Sequence, residues 1–356
     1  MAESTYKIIT KRTDNSQLNK VDWENLPFGK VFSDHMLVMD YKAGEWGSPE
    51  IVPFESIQLH PATSAIHYGQ SIFEGLKAYR TIDDEVAIFR PDMNAKRFAA
   101  SCKRMCMPEF PTDLFEQCVK ELVNFDRDWI PKKEGYSLYI RPFMFATDDY
   151  IGIKPSDQYK FMIFTCPVGA YYAEPLNVKI EEKFTRAAEG GVGRAKTAGN
   201  YAASLYPAEL GKAEGYHQLV WTDGKNHEYI EESGTMNIMF VIDGKLITPS
   251  EKSDTILPGI TKRSVIELAQ DWGMEVEERP IKVTEVIEAI KNGTLTEAFG
   301  AGTAATIAQI KMIGFRDEKF ELPSVADRDF SNKVYHHLDN IKIGKLEDKF
   351  NWVVKL

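Results

Sequence analysis

The sequence predicts a mixed α+β protein of two domains, and three observations predict it. Its 356 residues exceed what one simple core supports and suit two. Short apolar runs bounded by turn residues alternate with amphipathic stretches. The pattern restarts beyond about residue 178, past the cluster Cys166-Pro167-Val168-Gly169, where proline and glycine suggest a linker. The expected organisation is a first domain over residues 1–170, a linker over 171–178 and a second domain over 179–356. Hydrophobic residues at 43% and aromatics at 12% supply both cores.

In the first half, Val31-Phe32, Met36 to Met39 and Glu85 to Phe89 read as strands, and Ala95 to Met105 reads as a helix. Ser137 to Arg141 alternates apolar with polar residues, and Phe161 to Phe164 is a continuous apolar strand ending at the Pro/Gly cluster. In the second half, Gln218 to Trp221 is a strand closed by Asp223-Gly224. Asn237 to Ile242 and Lys245 to Thr248 flank Asp243-Gly244, a two-residue hairpin signal. A helix starting near Thr261 carries Val265, Ile266, Leu268, Ala269 and Trp272 on one face, with Gly273 as its C-cap. A short strand from Glu297 runs into the small residues Gly300 to Thr306.

Composition excludes several function classes. A net charge of -10 with no basic block argues against nucleic acid. No apolar run has the length to span a bilayer, and the opening Met1 to Lys7 lacks the features of a signal or transit peptide, so the cytoplasm is expected. Cys102, Cys106, Cys118 and Cys166 lack metal-site spacing and suit a reducing compartment; no metal site is read. His336-His337 and the charged stretch Lys345 to Lys349 read as solvated surface.

Lys196 stands alone among small residues in Gly190-Gly191-Val192-Gly193-Arg194-Ala195-Lys196-Thr197-Ala198-Gly199-Asn200-Tyr201. Small neighbours mark a close approach of the backbone, and a partly desolvated lysine is the amine a Schiff base needs. A flexible loop with a solvated lysine is the alternative on this stretch alone. The helix start at Thr261 offers free amides and a hydroxyl to an anion, or is simply a capped surface helix. Thr303 sits among small residues that let a ligand reach backbone amides, or that serve tight packing. Glu231 and Glu232 supply carboxylates. An amine, two anion sites and an acid together are what pyridoxal 5′-phosphate requires.

These segments also resemble the branched-chain amino acid aminotransferases, fold-type IV pyridoxal phosphate enzymes of the class IV aminotransferase family. The resemblance runs through Phe28-Gly29-Lys30, Ser33-Asp34-His35-Met36, His67 to Gly75, Asn94-Ala95-Lys96-Arg97, Tyr139-Ile140-Arg141-Pro142 and the segments above. It implies a small two-layer α/β domain, a larger pseudo-barrel domain and a homodimer. By position, Lys196 matches the Schiff-base lysine, Tyr201 the tyrosine at the cofactor's phenolic oxygen, and Glu232 the acid facing the ring nitrogen. Adjacent strand residues point to opposite faces, so Glu231 and Glu232 cannot share that task. Arg97 matches the phosphate arginine, with Leu257, Ile260, Thr261 and Thr303 completing the cofactor set.

For substrate, the resemblance assigns Phe28, Tyr68, Phe73 and Tyr139 to an aromatic wall, Thr235 and Ala304 to the α-carboxylate, and Arg141 to the side-chain carboxylate of glutamate. Ile153, in the loop Asp149 to Ile153, is expected to complete a neighbouring subunit's pocket. Without the resemblance, core packing explains the aromatics equally well. Some relatives carry a Cys-x-x-Cys pair where this chain has Ala305 and Ala308, so no thiol switch is expected there. The implied reaction transfers an amino group from leucine, isoleucine or valine to 2-oxoglutarate in ping-pong fashion, with Lys196 as both anchor and proton shuttle. The alternatives are a D-amino acid aminotransferase, an aminodeoxychorismate lyase, and a non-catalytic ligand-binding member of the same fold.

Overall fold

A computed structural model describes residues 6–169 and 174–356. Residues 1–5 and residues 171–173 of the expected linker lie outside them. The described residues form two compact units: residues 6–169 with Ala195–Ala198 and Asp339–Leu356, and residues 174–194 with Gly199–Leu338.

The first unit is built on a sheet whose strands run in the order Ile9–Thr10, Glu50–Pro53, His35–Lys42, Tyr159–Val168, Ser137–Ala146, Leu76–Arg80, Val86–Phe89 and Val353–Lys355. The strand Ser71–Phe73 pairs with Ser137–Ala146 off this path. Helix α1 (Ser64–Tyr68) is a single turn; α2 (Pro91–Arg104) and α3 (Thr112–Phe125) cover the sheet. In α3, Leu114, Phe115, Cys118, Val119, Leu122 and Val123 are buried at helical spacing and pack with Phe98 of α2 against Phe161, Leu138 and Ile140. The two-residue period of Ser137–Ala146 sends Leu138 and Ile140 into this core, while Tyr139 joins a separate cluster with Cys166 and Val168.

Four sequence expectations change here. Val31-Phe32 is not a strand; Phe32 stacks on Phe54 instead. The Pro/Gly cluster is no linker through Val168, because the strand Tyr159–Val168 runs across it with Pro167 opposite Leu138. The other neighbour, His35–Lys42, pairs only as far as Phe164, so the missing N–H of Pro167 meets no second ladder. The strand Leu176–Ile180 already begins inside the expected linker. Finally, Asp339–Leu356 belongs to the first unit rather than to a domain over 179–356, since Val353–Lys355 pairs with Val86–Phe89.

The second unit contains a closed ring of six strands. It passes from Met236–Ile242 through Leu295–Gly302, Thr306–Phe315, Leu176–Ile180, Gln218–Thr222 and Tyr229–Ser233, and closes where Glu232 pairs with Asn237 and Ser233 with Met236. Val178, Val220, Ile238, Phe240, Ala298 and Ile310 fill its core. The Asp243-Gly244 hairpin is present, both residues at positive φ (50° and 74°), the backbone such a two-residue turn demands. Gly300 and Gly302 lie against Met236, where an added Cβ would meet it at 2.8 and 3.0 Å; packing thus explains part of that small-residue stretch. Four further helices are α4 (Ala198–Ala213), α5 (Ile260–Asp271), α6 (Val283–Lys291) and α7 (Asp329–Lys342). Val265, Ile266, Leu268 and Ala269 are buried in α5, and Gly273 follows its C-cap at φ 76°.

Candidate active site

In the first unit, main-chain bonds fix the segment of Lys196 to the strand Ser71–Phe73. The Phe73 N–H donates to the Lys196 carbonyl at 2.9 Å, the Thr197 hydroxyl donates to the Ser71 carbonyl at 2.7 Å, and the Lys196 N–H donates to Ser101 Oγ at 3.0 Å. Such an approach requires the small neighbours Ala195 and Ala198. The lysine is half-buried, with Nζ 4.7 Å from the centroid of the Phe73 ring.

Phe73 is flanked by a second cation, Arg141, whose Cζ lies 4.6 Å from the ring centroid. Arg141 Nη2 donates to the Tyr139 hydroxyl at 2.9 Å, and Phe28 packs edge-on to Tyr139 at 5.0 Å. The Tyr139 hydroxyl fits because residue 75 is glycine: a Cβ there would meet it at 2.3 Å. Arg141 Nε is buried and has no partner among the described residues. Phe28, Phe73, Tyr139, Arg141 and Lys196 are thus brought together. Tyr68 and Ile153 are not joined to them; Tyr68 is exposed beside His67, and Ile153 is 93% exposed.

Arg97 projects from α2 onto Glu74, Nε to Oε1 at 2.7 Å and Nη2 to Oε2 at 2.8 Å. Glu74 is fully buried and also accepts Asn94 Nδ2 at 2.7 Å. Sequence reasoning missed Glu74, although an acid in the apolar run Ser71-Ile72-Phe73-Glu74-Gly75-Leu76 was a signal.

In the second unit, a small open pocket is lined by Tyr201, Glu232, Thr235 and Leu257 from the expected set, and by Arg186 and Asn200. Ile260, Thr261, Thr303 and Ala304 are not in its lining; the first two open α5, and the others sit in the turn between Leu295–Gly302 and Thr306–Phe315. Glu232 Oε1 accepts the Leu257 N–H at 2.8 Å and Asn237 Nδ2 at 3.3 Å. Arg186 Nε lies 3.0 Å from Oε2, with both side chains buried; the N–H is not aligned on the oxygen, so the contact is a close ion pair. Glu231, also buried, accepts the Thr255 hydroxyl at 2.5 Å. Burial pushes the Glu231 carboxyl up to about 7, opposed by Thr255 and Arg186 and reinforced by Glu232 and Asp223.

The first unit carries an amine held over an aromatic ring and a guanidinium fixed by a buried acid, and the second, by itself, a helix start without a side-chain cap and a buried carboxylate; each is a donor type that an aldehyde cofactor with a phosphate requires. The amino-transferase class IV family matches residues 71–313. The chain is 43% identical over 357 residues to branched-chain-amino-acid aminotransferase 2 of Bacillus subtilis, spanning 98% of each chain. The chain belongs to the class IV aminotransferases, among the branched-chain amino acid aminotransferases.

Solved structures agree with this aminotransferase assignment. The branched-chain amino acid aminotransferase of Escherichia coli matches with a TM-score of 0.74 at 26% identity, covering 89% of this chain and 98% of that one. The T.th. branched-chain amino acid aminotransferase complexed with N-(5′-phosphopyridoxyl)-L-glutamate matches with a TM-score of 0.71 at 25% identity, covering 89% and 97%. The cofactor of this aminotransferase is pyridoxal 5′-phosphate. Among the described residues no helix is long and apolar enough to cross a membrane.

Proposed function

We propose that this aminotransferase moves the α-amino group of L-leucine, L-isoleucine or L-valine to 2-oxoglutarate, releasing the branched-chain 2-oxo acid and L-glutamate in two alternating half-reactions. One observation carries the substrate assignment. Arg141 sits in an aromatic wall of Phe28, Phe73 and Tyr139, and its buried Nε has no partner among the described residues. Apolar rings accept an aliphatic side chain, and the guanidinium accepts the side-chain carboxylate of glutamate or 2-oxoglutarate in the same place. The phosphopyridoxyl-glutamate named for the T.th. structure supports glutamate as one of the amino donors.

Bound pyridoxal phosphate supplies an electron sink that makes the α-hydrogen of an amino acid acidic. Lys196 Nζ would hold that cofactor and would be the amine that takes and returns the α-proton. Glu232 would be the acid for the ring nitrogen, with Tyr201 and Leu257 beside it, and Arg97, Ile260, Thr261 and Thr303 would each be donors for the phosphate. Thr235 and Ala304 receive the α-carboxylate.

The protein acts as a homodimer in which the loop of Ile153 serves the partner's pocket, while Tyr68 belongs to this chain's own aromatic wall. The exposure of Ile153, Tyr150 and Ile151 supports that reading, as do Leu205 at 66% and Tyr206 at 65% exposed on α4. Free cysteines, with Cys102 and Cys118 each pushed by burial up to about 12, support a cytoplasmic location.

A substrate panel with 2-oxoglutarate as acceptor tests the proposal. Leucine, isoleucine and valine should turn over well and D-alanine should not; the reverse order would favour a D-amino acid aminotransferase. Lys196→Ala should lose both the visible absorbance of the cofactor-loaded protein and transamination.

A further inference from the structure

Glu231 and Glu232 are consecutive and both buried; Arg186 pairs with Glu232, while its charge acts on Glu231 without contact and offsets only part of the effect of burial there. The site treats them unequally. Glu232 gathers the Leu257 N–H and Asn237 Nδ2 on Oε1 and the Arg186 guanidinium at Oε2. Glu231 accepts the Thr255 hydroxyl on Oε1, while its buried Oε2 has no partner among the described residues. A buried carboxylate needs donors on both oxygens; a neutral carboxyl tolerates the poorer set.

The rest of the guanidinium is fixed as well. Arg186 Nη2 donates to the Thr255 carbonyl and, at 3.5 Å, to that of Gly193. Thr255 therefore takes the arginine on its carbonyl and gives its hydroxyl to Glu231. Two residues on, Leu257 gives its N–H to Glu232.

We propose that Arg186 is a positioning residue that assigns the negative charge of this glutamate pair to Glu232 and leaves the proton on Glu231. The upward displacement of Glu231, caused first by its burial, agrees with that division. The negative charges of Glu232 and, least, Asp223 add to its reluctance to ionise. The inference deepens the proposed function and rests on Glu232 being the acid that faces the cofactor ring.

Apoprotein titrated with pyridoxamine 5′-phosphate, followed by tryptophan fluorescence between about pH 6 and about pH 9, tests it. The ratio of variant to wild-type Kd cancels the ligand's own ionisations. Arg186→Gln should weaken binding about tenfold, most at the acidic end where Glu232 would now hold a proton. Arg186→Lys, which keeps the charge, should stay within about threefold of wild type, as should Glu231→Gln. In the double variant, Glu231→Gln should recover part of the loss, because the remaining charge can then reside only on Glu232.

A loss of equal size in Arg186→Gln, Arg186→Lys and the double variant, independent of pH, would make Arg186 a strut for the Thr255 loop and overturn the inference. Should Arg186→Gln not fold, Arg186→Lys decides: near wild-type affinity supports the inference, and a pH-independent loss overturns it. Failure of the wild-type apoprotein to bind pyridoxamine 5′-phosphate sinks the functional reading itself. Binding by wild type with unchanged affinity in every variant removes only the role of Arg186.

Discussion

Arg97 and Glu74 form a two-point ion pair, Nε to Oε1 at 2.7 Å and Nη2 to Oε2 at 2.8 Å, with the glutamate fully buried. The pair sets the plane of the guanidinium, and so the direction in which its remaining donors face. Removing one partner strands a buried charge, so Glu74→Gln should lower stability by about 3–5 kcal/mol in denaturant titration. The folded fraction should also bind pyridoxamine 5′-phosphate more weakly. Unchanged stability and affinity would mean that Arg97 does not depend on Glu74.

Arg141→Met should separate the two acceptor classes. It keeps the bulk beside Phe73 and Tyr139 but removes the cation. kcat/KM for 2-oxoglutarate should fall about a hundredfold while that for the 2-oxo acid of leucine changes about threefold or less. A parallel fall for both would show that Arg141 serves the fold and not the choice of substrate.

Gly75→Ala should disturb the same wall from behind. The added methyl would lie 2.3 Å from the Tyr139 hydroxyl, so the ring must move and the Arg141 bond must stretch. A rise of about tenfold in KM for leucine, with kcat less affected, is the expected result. Wild-type kinetics in this variant would contradict the tight fit.

Two buried groups give opposite slopes of stability against pH. Glu231 is raised from 4.5 to about 7, so the native state holds its proton where the unfolded chain has lost it. Its contribution therefore falls as pH rises across that window. Lys77, cross-strand from Tyr139, is lowered from 10.5 to about 7 by burial and then by Lys342; the unfolded chain holds the extra proton, and stability rises with pH from about 7 towards 10.5. Glu231→Gln should accordingly raise stability at pH 8 by about 1–3 kcal/mol and flatten the acidic slope, whereas Lys77→Met should gain more at pH 7 than at pH 10. Chemical denaturation at three pH values checks both; parallel curves for variant and wild type would refute them.

Strands and hairpins with local signals were legible in the sequence, as Met236–Ile242 and Lys245–Thr248 around Asp243-Gly244 illustrate. Long-range pairing was not. Nothing near Val353 says that it will lie beside Phe89, and nothing near Pro167 says that its nitrogen will face no second strand. In the site, the lysine, the acid and the arginines could be named because their chemistry is demanding. Their supports, Glu74, Arg186 and Asn237, could not, since a buried polar residue shows its purpose only once its partner is in place.

The closed ring of the second unit imposes an order on synthesis. The hairpin that carries Glu232 and Asn237 joins neighbours in the chain and can form as soon as it emerges. Leu176–Ile180 must wait for Ile310 to Gly314, made more than a hundred residues later, before one of its flanks is paired. Until then that flank of the strand remains an unpaired apolar edge of the nascent chain.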